Sequence, residues 1–259
     1  MPICIAGMHR SGTSMITRLL NLCGVDLGPE TDISAAAVDN EAGFWENYHF
    51  VRLNEEALVL LGGGWDLPPT LSEGWELRDE MVRIRDDAAE LVRGFSPDGI
   101  WGWKDPRNSM MLPFWKRLIP DLKILVCLRN PLEVAQSLHE RNHSSQAFSL
   151  NLWLMYYQQL LSCTRPAERV VTHYNAYFYN PQAELRRVLS LLEISASSEA
   201  IEQACSTISA RLRHSWVTTP ELMEIKVPAD VLDNYLTMCG EAGAIYQASA
   251  GQVNSFAKS

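Results

Sequence analysis

Residues 7–14, Gly-Met-His-Arg-Ser-Gly-Thr-Ser, combine two glycines, one arginine and three hydroxyl side chains. A short apolar run comes before this stretch, and an amphipathic pattern that predicts a helix follows it. In a strand, loop and helix of this kind, free backbone N–H groups at the helix start bind an anion. The sequence therefore predicts a phosphate-binding loop. Its candidate ligand-binding residues are Gly7, His9, Arg10, Ser11, Gly12, Thr13 and Ser14.

The loop departs from the nucleotide-hydrolase pattern G-x-x-x-x-G-K-[ST] at one position. Gly7 and Gly12 have the required spacing, but Thr13 stands where that pattern has its lysine. In the nucleotide hydrolases this lysine holds the terminal phosphates of the nucleoside triphosphate. Arg10 supplies the positive charge of the loop instead. We therefore expect a phosphate-like ligand other than ATP or GTP.

A second candidate anion site follows the apolar run at residues 124–128. This run predicts a strand that ends at Arg129, where the guanidinium would lie in the crevice that binds ligands in open α/β sheets. Ser137 comes two helical turns later and can face the same side. A guanidinium and a hydroxyl together can clamp a phosphate monoester, although an ordinary surface ion pair would explain Arg129 equally well.

The composition restricts the partners of the chain. The net charge of −9 over 259 residues disfavours nucleic acid and anionic membranes, so any anion site must be a local basic pocket. The six cysteines are widely spaced and form no C-x-x-C pair, which indicates reduced structural thiols. No apolar run is long enough to span a membrane, and a strand is expected from residue 2, which leaves no room for a signal peptide. We expect a cytoplasmic protein; no pattern indicates its oligomeric state.

Apolar runs alternate with helical patterns along the chain. This order predicts a three-layer α/β fold, with a mainly parallel central sheet and helices on both faces. Further strands are expected at residues 99–104, 122–128 and 169–173, and helices at 13–23, 48–61, 75–95, 109–118, 131–142, 148–163 and 181–192. A helical extension with a loop near 213–220 follows. We expect one domain over residues 1–259, with a core at 2–192 and the extension at 197–259.

The loop at residues 9–14, together with Arg129 and Ser137 at their spacing, resembles the sulfotransferases that use 3′-phosphoadenosine 5′-phosphosulfate (PAPS). The Lys-Asp-Pro stretch at 104–106 resembles that of the tyrosylprotein sulfotransferases. The resemblance spans about residues 3–192, and it is nearest to bacterial members whose acceptor is uncertain. It implies a fold of the P-loop type and transfer of a sulfuryl group from PAPS to a hydroxyl or amine. The acceptor would be a carbohydrate, lipid or other small molecule.

The same resemblance assigns roles to individual residues. The loop would hold the 5′-phosphosulfate, with Arg10 neutralising charge on the transferred group. Arg129 and Ser137 would hold the 3′-phosphate, and Tyr174 would lie near the nucleotide. Lys104 would stabilise the bridging oxygen as sulfate departs.

Two features of the sequence leave alternatives open. The Arg-x-Gly motif of the cytosolic animal enzymes is absent, and Arg213 could replace it, although a surface cluster is about as good an interpretation. The family's arrangement needs no metal, but Asp105 also ends a predicted strand and could hold Mg²⁺.

The acceptor hydroxyl requires a general base. The cytosolic animal enzymes have a histidine two residues after the equivalent of Lys104, where this chain has Pro106. Glu30 lies about where the tyrosylprotein enzymes place their catalytic glutamate, and His49 is a further candidate. We favour Glu46, because its aromatic neighbours would partly desolvate the carboxylate and make it a stronger base.

Two other functions are compatible with the sequence. A P-loop kinase for a small metabolite would share the fold and use Mg-ATP, but the missing lysine disfavours it. A non-catalytic nucleotide-binding protein of the same fold would bind its ligand without transferring a group.

Overall fold

A four-stranded, all-parallel sheet forms the centre of the molecule. The computed structural model describes residues 1–35, 43–209, 211 and 216–246. The strand order is β2-β1-β3-β4, and Cys4 pairs with Trp103 on one side and with Ile124 on the other. The strands are β1 (Pro2–Gly7), β2 (Trp101–Lys104), β3 (Lys123–Leu128) and β4 (Arg169–His173).

Helices cover both faces of this sheet. Within the described ranges they are α1 (Thr13–Leu22), α2 (Tyr48–Leu60), α3 (Val82–Arg93), α4 (Asn108–Leu118), α5 (Pro131–Asn142), α6 (Gln146–Ser162), α7 (Ala176–Tyr179), α8 (Pro181–Leu191), α9 (Ser198–Ser206), α10 (Thr219–Glu224) and α11 (Ala229–Glu241). Not one of these helices is long and apolar enough to cross a membrane.

Both faces of the sheet are apolar, because successive side chains of a strand point to opposite sides. Ile3 and Ile5 of β1 pack with α1, α8 and α9, whereas Cys4 and Ala6 pack with α2, α4 and α6 on the other face. Helix α11 packs against α6 and β4. The expected three-layer α/β architecture is confirmed.

Most elements lie close to their expected positions, and two segments differ. The region expected as one helix at 75–95 consists of two short 3₁₀ turns, Trp75–Leu77 and Asp79–Met81, followed by α3. Arg78 has an extended backbone (φ −57°, ψ 151°), which interrupts the helix. Helix α10 begins inside the expected loop near 213–220, where Thr218 and Glu221 form a capping box.

The strand order positions the functional residues. The chain leaves β1 towards β2 on one side and leaves β3 towards β4 on the other, so the connections diverge between β1 and β3. Open α/β sheets bind ligands at such a point, outside the carboxyl ends of the strands. Four segments meet at this edge: the loop after β1, Lys104 at the end of β2, Arg129 after β3 and Tyr174 after β4.

Candidate functional site

A pocket opens at the carboxyl edge of the sheet. Among the described residues that line it, six are cationic and one is acidic: Arg10, Arg18, Lys104, Arg107, Arg129, Arg141 and Glu46. The chain as a whole has a net charge of −9. The pocket is therefore a local concentration of positive charge, which favours an anionic ligand.

The loop between β1 and α1 packs tightly against the neighbouring strands. Gly7 N–H donates to Ser109 Oγ at 3.0 Å, and a Cβ on Gly7 would lie 2.5 Å from the carbonyl oxygen of Cys127. Arg10 and Gly12 both have left-handed backbones, with φ of 68° and 82°. His9, Arg10, Gly12, Thr13 and Ser14 line the pocket. Gly7 is buried and does not line the pocket.

Tyr157 holds the loop from below. Its hydroxyl donates to the Cys127 carbonyl oxygen at 2.6 Å, accepts from Met8 N–H at 3.3 Å and is hydrogen bonded to Ser11 Oγ at 3.1 Å. Burial raises the pKa of Tyr157, so the phenol remains a donor at physiological pH. Ser11 is fully buried and does not line the pocket. Its side chain supports the loop, and its expected ligand contact stays a prediction.

Three groups among the described residues contact the Arg129 guanidinium. Its Nε donates to Glu133 Oε2 at 2.8 Å, and its Nη1 donates to the carbonyl oxygen of Arg10 at 3.0 Å. The guanidinium also lies over the Tyr174 ring, 4.5 Å from the ring centroid. These contacts fix the orientation of the guanidinium at the pocket, where it can bind an anion.

Tyr174 lies directly against the loop. A Cβ on Gly12 would be 2.2 Å from Tyr174 Cδ2, so the ring needs a glycine at this position. The structure thus brings together three predicted ligand-binding residues, Gly12, Arg129 and Tyr174.

Ser137 contacts Arg10 in this structure. The Ser137 hydroxyl accepts a hydrogen bond from Arg10 Nε at 2.9 Å, and Ser137 does not line the pocket. The predicted clamp of Arg129 and Ser137 on one phosphate therefore stays a prediction.

Lys104 and Glu46 form an ion pair inside the pocket. Lys104 Nζ lies 2.6 Å from Glu46 Oε1, and the two side chains are 2% and 17% exposed. At the end of β2, the buried ammonium therefore has a carboxylate partner. The structure therefore places Glu46, one of the three candidate bases, beside Lys104 in the pocket.

The other two candidate bases lie elsewhere. Glu30 is exposed on the short 3₁₀ turn Glu30–Asp32, and His49 pairs with Asp32 at 3.4 Å. Neither of them lines the pocket. Of the three candidates, Glu46 alone reaches the site.

Hydrogen bonds from neighbouring protein groups hold Asp105 in the protein interior. It is fully buried; Asn54 Nδ2 donates to its Oδ2 at 2.8 Å, while Arg107 N–H and Nη1 donate to its Oδ1 at 3.0 and 2.9 Å. Protein donors therefore occupy both oxygens, and Asp105 does not face the pocket as a Mg²⁺ ligand would. Across the described ranges, no group of three or more His, Cys, Asp or Glu side chains is arranged to hold a metal.

His9 lies in an aromatic and cationic environment. Its ring is 4.7 Å from that of Trp65 and 5.8 Å from that of Tyr156. Burial lowers the pKa of His9 well below its ordinary value. Nearby positive charges lower it further; they belong to Arg107, Lys104, Arg141 and Arg10. His9 is therefore neutral at physiological pH.

Sequence reasoning missed several residues that line the pocket: Met15, Arg18, Phe44, Trp45, Arg107, Arg141, Phe178 and residues 207–209. Helical spacing could have indicated two of them, since Arg18 and Arg141 lie one turn after Ser14 and Ser137. Phe44 and Trp45 are the aromatic neighbours that favoured Glu46 as the base, and no local signal identified the rest. Arg213, the predicted substitute for the missing carboxyl-terminal motif, lies outside the described residues.

Comparisons with known proteins identify the family and the fold. The sulfotransferase family model matches residues 2–198. The fold is similar to a sulfotransferase from Alicyclobacillus acidocaldarius, with 15% identity, a TM-score of 0.53 and coverage of 95% of this chain and 98% of that one. A sulfotransferase from Mycobacterium avium gives 13% identity, a TM-score of 0.53 and coverage of 98% and 76%.

The sulfotransferase domain of an olefin synthase from Synechococcus PCC 7002 gives 16% identity, a TM-score of 0.51 and coverage of 99% of this chain and 94% of that domain. No curated protein matches the sequence significantly. At these identities the structural similarities show the fold, and the family model spans most of the chain. The chain therefore belongs to the sulfotransferase family.

Proposed function

We propose that this sulfotransferase transfers a sulfuryl group from PAPS to a hydroxyl or amine of a small-molecule, lipid or carbohydrate acceptor. The observation that carries the proposal is the Lys104–Glu46 pair, with 2.6 Å between Nζ and Oε1, in a pocket whose described lining includes six cationic side chains. A proton acceptor and a cation lie side by side where an anionic donor can bind. Sulfuryl transfer needs both groups.

The basic pocket fits a donor with several negative charges. Arg10 and the N–H groups of the loop would hold the phosphosulfate, as helix starts hold phosphates. Arg129, fixed by Glu133 and lying over Tyr174, would hold the 3′-phosphate. Thr13 replaces the lysine that a nucleoside triphosphate requires, which favours this donor over ATP.

Bound PAPS would supply a sulfuryl group whose S–O bond to the bridging phosphate oxygen breaks as the acceptor oxygen bonds to sulfur. Lys104 would stabilise the negative charge that develops on the bridging oxygen. Glu46 would take the proton of the acceptor hydroxyl. Such transfers depend mainly on positioning and charge stabilisation, and this chain's own cations provide both without a metal.

Calorimetry tests the donor. We expect tight binding of 3′-phosphoadenosine 5′-phosphate (PAP) and weak binding of ADP and Mg-ATP. At 100 times its dissociation constant, PAP should add about 2.7 kcal/mol of stability, which a thermal-shift assay detects easily. The Arg129→Ala variant should lose most of the PAP affinity.

Other results would contradict the proposal. A preference for Mg-ATP would indicate a kinase. Binding of PAP without transfer of sulfate from PAPS to any acceptor of a broad panel would indicate a non-catalytic nucleotide-binding protein.

A further inference from the structure

Asn54 lies in the middle of helix α2 and is fully buried. Its Nδ2 donates to Asp105 Oδ2 at 2.8 Å and to Asn108 Oδ1 at 2.9 Å. Its Oδ1 accepts from Trp115 Nε1 at 2.9 Å. Because an indole N–H can only donate, this contact determines which end of the amide is the oxygen. One side chain therefore joins α2 to the segment that follows β2 and to α4.

The segment after β2 is also fixed to the sheet by contacts that do not involve α2. Asn108 Nδ2 donates to the carbonyl oxygen of Ile5 at 3.0 Å, and Trp103 Nε1 donates to Asn108 Oδ1 at 3.0 Å. Lys104 pairs with Ile5 in the ladder between β2 and β1. The sheet therefore fixes the backbone of Lys104.

Helix α2 determines where Glu46 lies. Glu46 directly precedes Asn47, the N-cap of α2, whose side chain accepts from His49 N–H at 3.1 Å. Asn47 is buried as well and comes seven residues before Asn54, about two helical turns, so both asparagines lie on one face of the helix. The position of α2 against the end of β2 therefore affects the position of Glu46 against Lys104.

Two further contacts hold this region. Arg107 Nη2 donates to Glu55 Oε1 at 2.6 Å, which also joins α2 to the segment after β2. The Glu55 side chain is 53% exposed, and ion pairs contribute little at the surface. Ser34 N–H donates to the Glu46 carbonyl oxygen at 2.7 Å, which holds that backbone to the chain after α1. The buried link between α2 and the end of β2 is the one that Asn54 makes.

The other buried side chains of α2 are apolar: Phe50, Leu53, Ala57 and Leu58. Their burial stabilises the helix without a preferred direction. The hydrogen bonds of Asn54, in contrast, require defined distances and angles. A shift of the helix would leave buried polar groups without partners, which is unfavourable. Asn54 therefore restricts α2 to one position along the sheet.

We propose that Asn54 is a positioning residue for the transfer reaction. Through α2 it holds the carboxylate of Glu46 at 2.6 Å from Lys104 Nζ, and it does not itself line the pocket. A misplacement of about 1 Å at a reacting group can lower a rate by about 100-fold, so a side chain outside the pocket can control turnover. This inference rests on the proposed function and on Glu46 as its base.

Crystal structures test the geometry without turnover. In Asn54→Ala, we expect the distance between Lys104 Nζ and Glu46 Oε1 to increase by about 1 Å or more, the displacement that matters for catalysis. The backbone of Lys104 should remain in place, because β1 holds it. An unchanged distance between the two side chains would overturn the inference.

A double-mutant cycle tests the effect on turnover. The assay measures PAP released from PAPS with each acceptor of a broad panel, water included. Asn54→Ala should lower kcat by about 10- to 100-fold and keep PAP affinity within threefold. In the Glu46→Gln background, the same substitution should lower kcat by less than twofold, since an absent base cannot be misplaced. The full loss in both backgrounds would overturn the inference.

Thr172→Val is the matched control for a lost buried hydrogen bond. Thr172 is fully buried on β4, and its hydroxyl donates to Glu184 Oε1 at 2.6 Å. Its neighbour Val171 packs on the face of the sheet that α2 covers, so Thr172 points to the opposite face. This variant should lose stability but keep kcat within twofold. A loss of kcat equal to that of Asn54→Ala would show general structural damage and overturn the inference.

Two outcomes need separate readouts. If Asn54→Ala does not fold, Trp115→Phe replaces it, because this change removes the donor to Asn54 Oδ1 and keeps an aromatic ring in the core. It should lower kcat at least threefold, again with little effect in Glu46→Gln, and unchanged kcat would overturn the inference. If the unmodified protein releases no PAP with any acceptor, the proposed function is contradicted instead.

Discussion

Glu133 and Val217 lie 84 residues apart in the chain and are joined by a hydrogen bond from Val217 N–H to Glu133 Oε1 at 3.0 Å. The other oxygen of the same carboxylate accepts from Arg129 Nε at 2.8 Å. Asn130 Nδ2 also donates to the Val217 carbonyl oxygen, at 3.1 Å. Val217 lies beyond the part of the chain that the family model matches. A segment outside that match therefore supports the arginine of the proposed 3′-phosphate site.

The Glu133→Gln variant should weaken both folding and ligand binding. The glutamine can still accept a hydrogen bond from Val217 N–H. The variant, however, lacks the fully buried negative charge that balances the Arg129 guanidinium. We expect the free energy of unfolding to fall by about 1–3 kcal/mol, as for a lost hydrogen bond to a charged group. PAP affinity should fall about tenfold, because Arg129 loses its orientation. Chemical denaturation and calorimetry measure the two effects.

Glu193→Gln is the control for this variant. Glu193 is 72% exposed and pairs with Lys123 at the surface, where such pairs contribute little. Unchanged PAP affinity in Glu133→Gln would show that Arg129 does not depend on Glu133.

Gly12→Ala should displace Tyr174 from the loop. The new Cβ would lie 2.2 Å from Tyr174 Cδ2, and the position has a φ of 82°. Gly24→Ala separates the cost of backbone strain from the cost of the steric overlap with Tyr174. Gly24 also has a positive φ, 97°, but no atom lies within 4 Å of the added Cβ. Gly24→Ala should cost about 1 kcal/mol from backbone strain alone. Gly12→Ala should cost clearly more in thermal unfolding and lose PAP binding. Equal costs with retained binding would contradict the role of this contact.

The fold and the family could be predicted because their signals are local. Apolar runs, glycine positions and Pro131 at the first turn of α5 identify elements without knowledge of their neighbours, and the bounds of β4 and α5 match the expected ones. The family resemblance rested on the loop at residues 9–14 together with Arg129 and Ser137 at their spacing, and the family is confirmed. One exception is the segment 75–95, whose continuous charge pattern predicted a single helix and gave no sign of the extended residue Arg78.

The contacts within the site could not be predicted, because they join residues far apart in sequence. Tyr157 and Ser11 are 146 residues apart, and Lys104 and Glu46 are 58 apart. No periodicity encodes such pairs. The sequence could offer Glu46 as a base among three candidates, and packing was needed to bring it to Lys104.

Glu46→Gln should abolish transfer while leaving the donor site intact. Glutamine can still accept a hydrogen bond from Lys104, but it cannot take the acceptor's proton. Loss of a general base lowers turnover by about 10²–10⁴-fold. We expect that loss in a sulfate-transfer assay, with PAP affinity within threefold of the original.

The comparison variants for this prediction are Glu30→Gln and His49→Gln. Both positions lie outside the pocket and should keep turnover within twofold. If Glu46→Gln remains active, or if one of the comparison variants loses activity instead, the assignment of the base is wrong.

His9 should make folding stability depend on pH. Burial and the charge of Arg107 lower its pKa in the folded state, so as the pH falls the unfolded chain binds the proton first. The stabilisation is therefore complete above about pH 6.5, the ordinary histidine pKa, and is lost progressively below it. Relative to His9→Phe, the free energy of unfolding should fall by up to about 1.4 kcal/mol per pH unit between pH 6.5 and 5. Chemical denaturation of both proteins over this range measures the difference, in which the other titrating groups cancel. Parallel stability curves would show that the His9 imidazole is protonated as readily in the folded protein as in the unfolded chain.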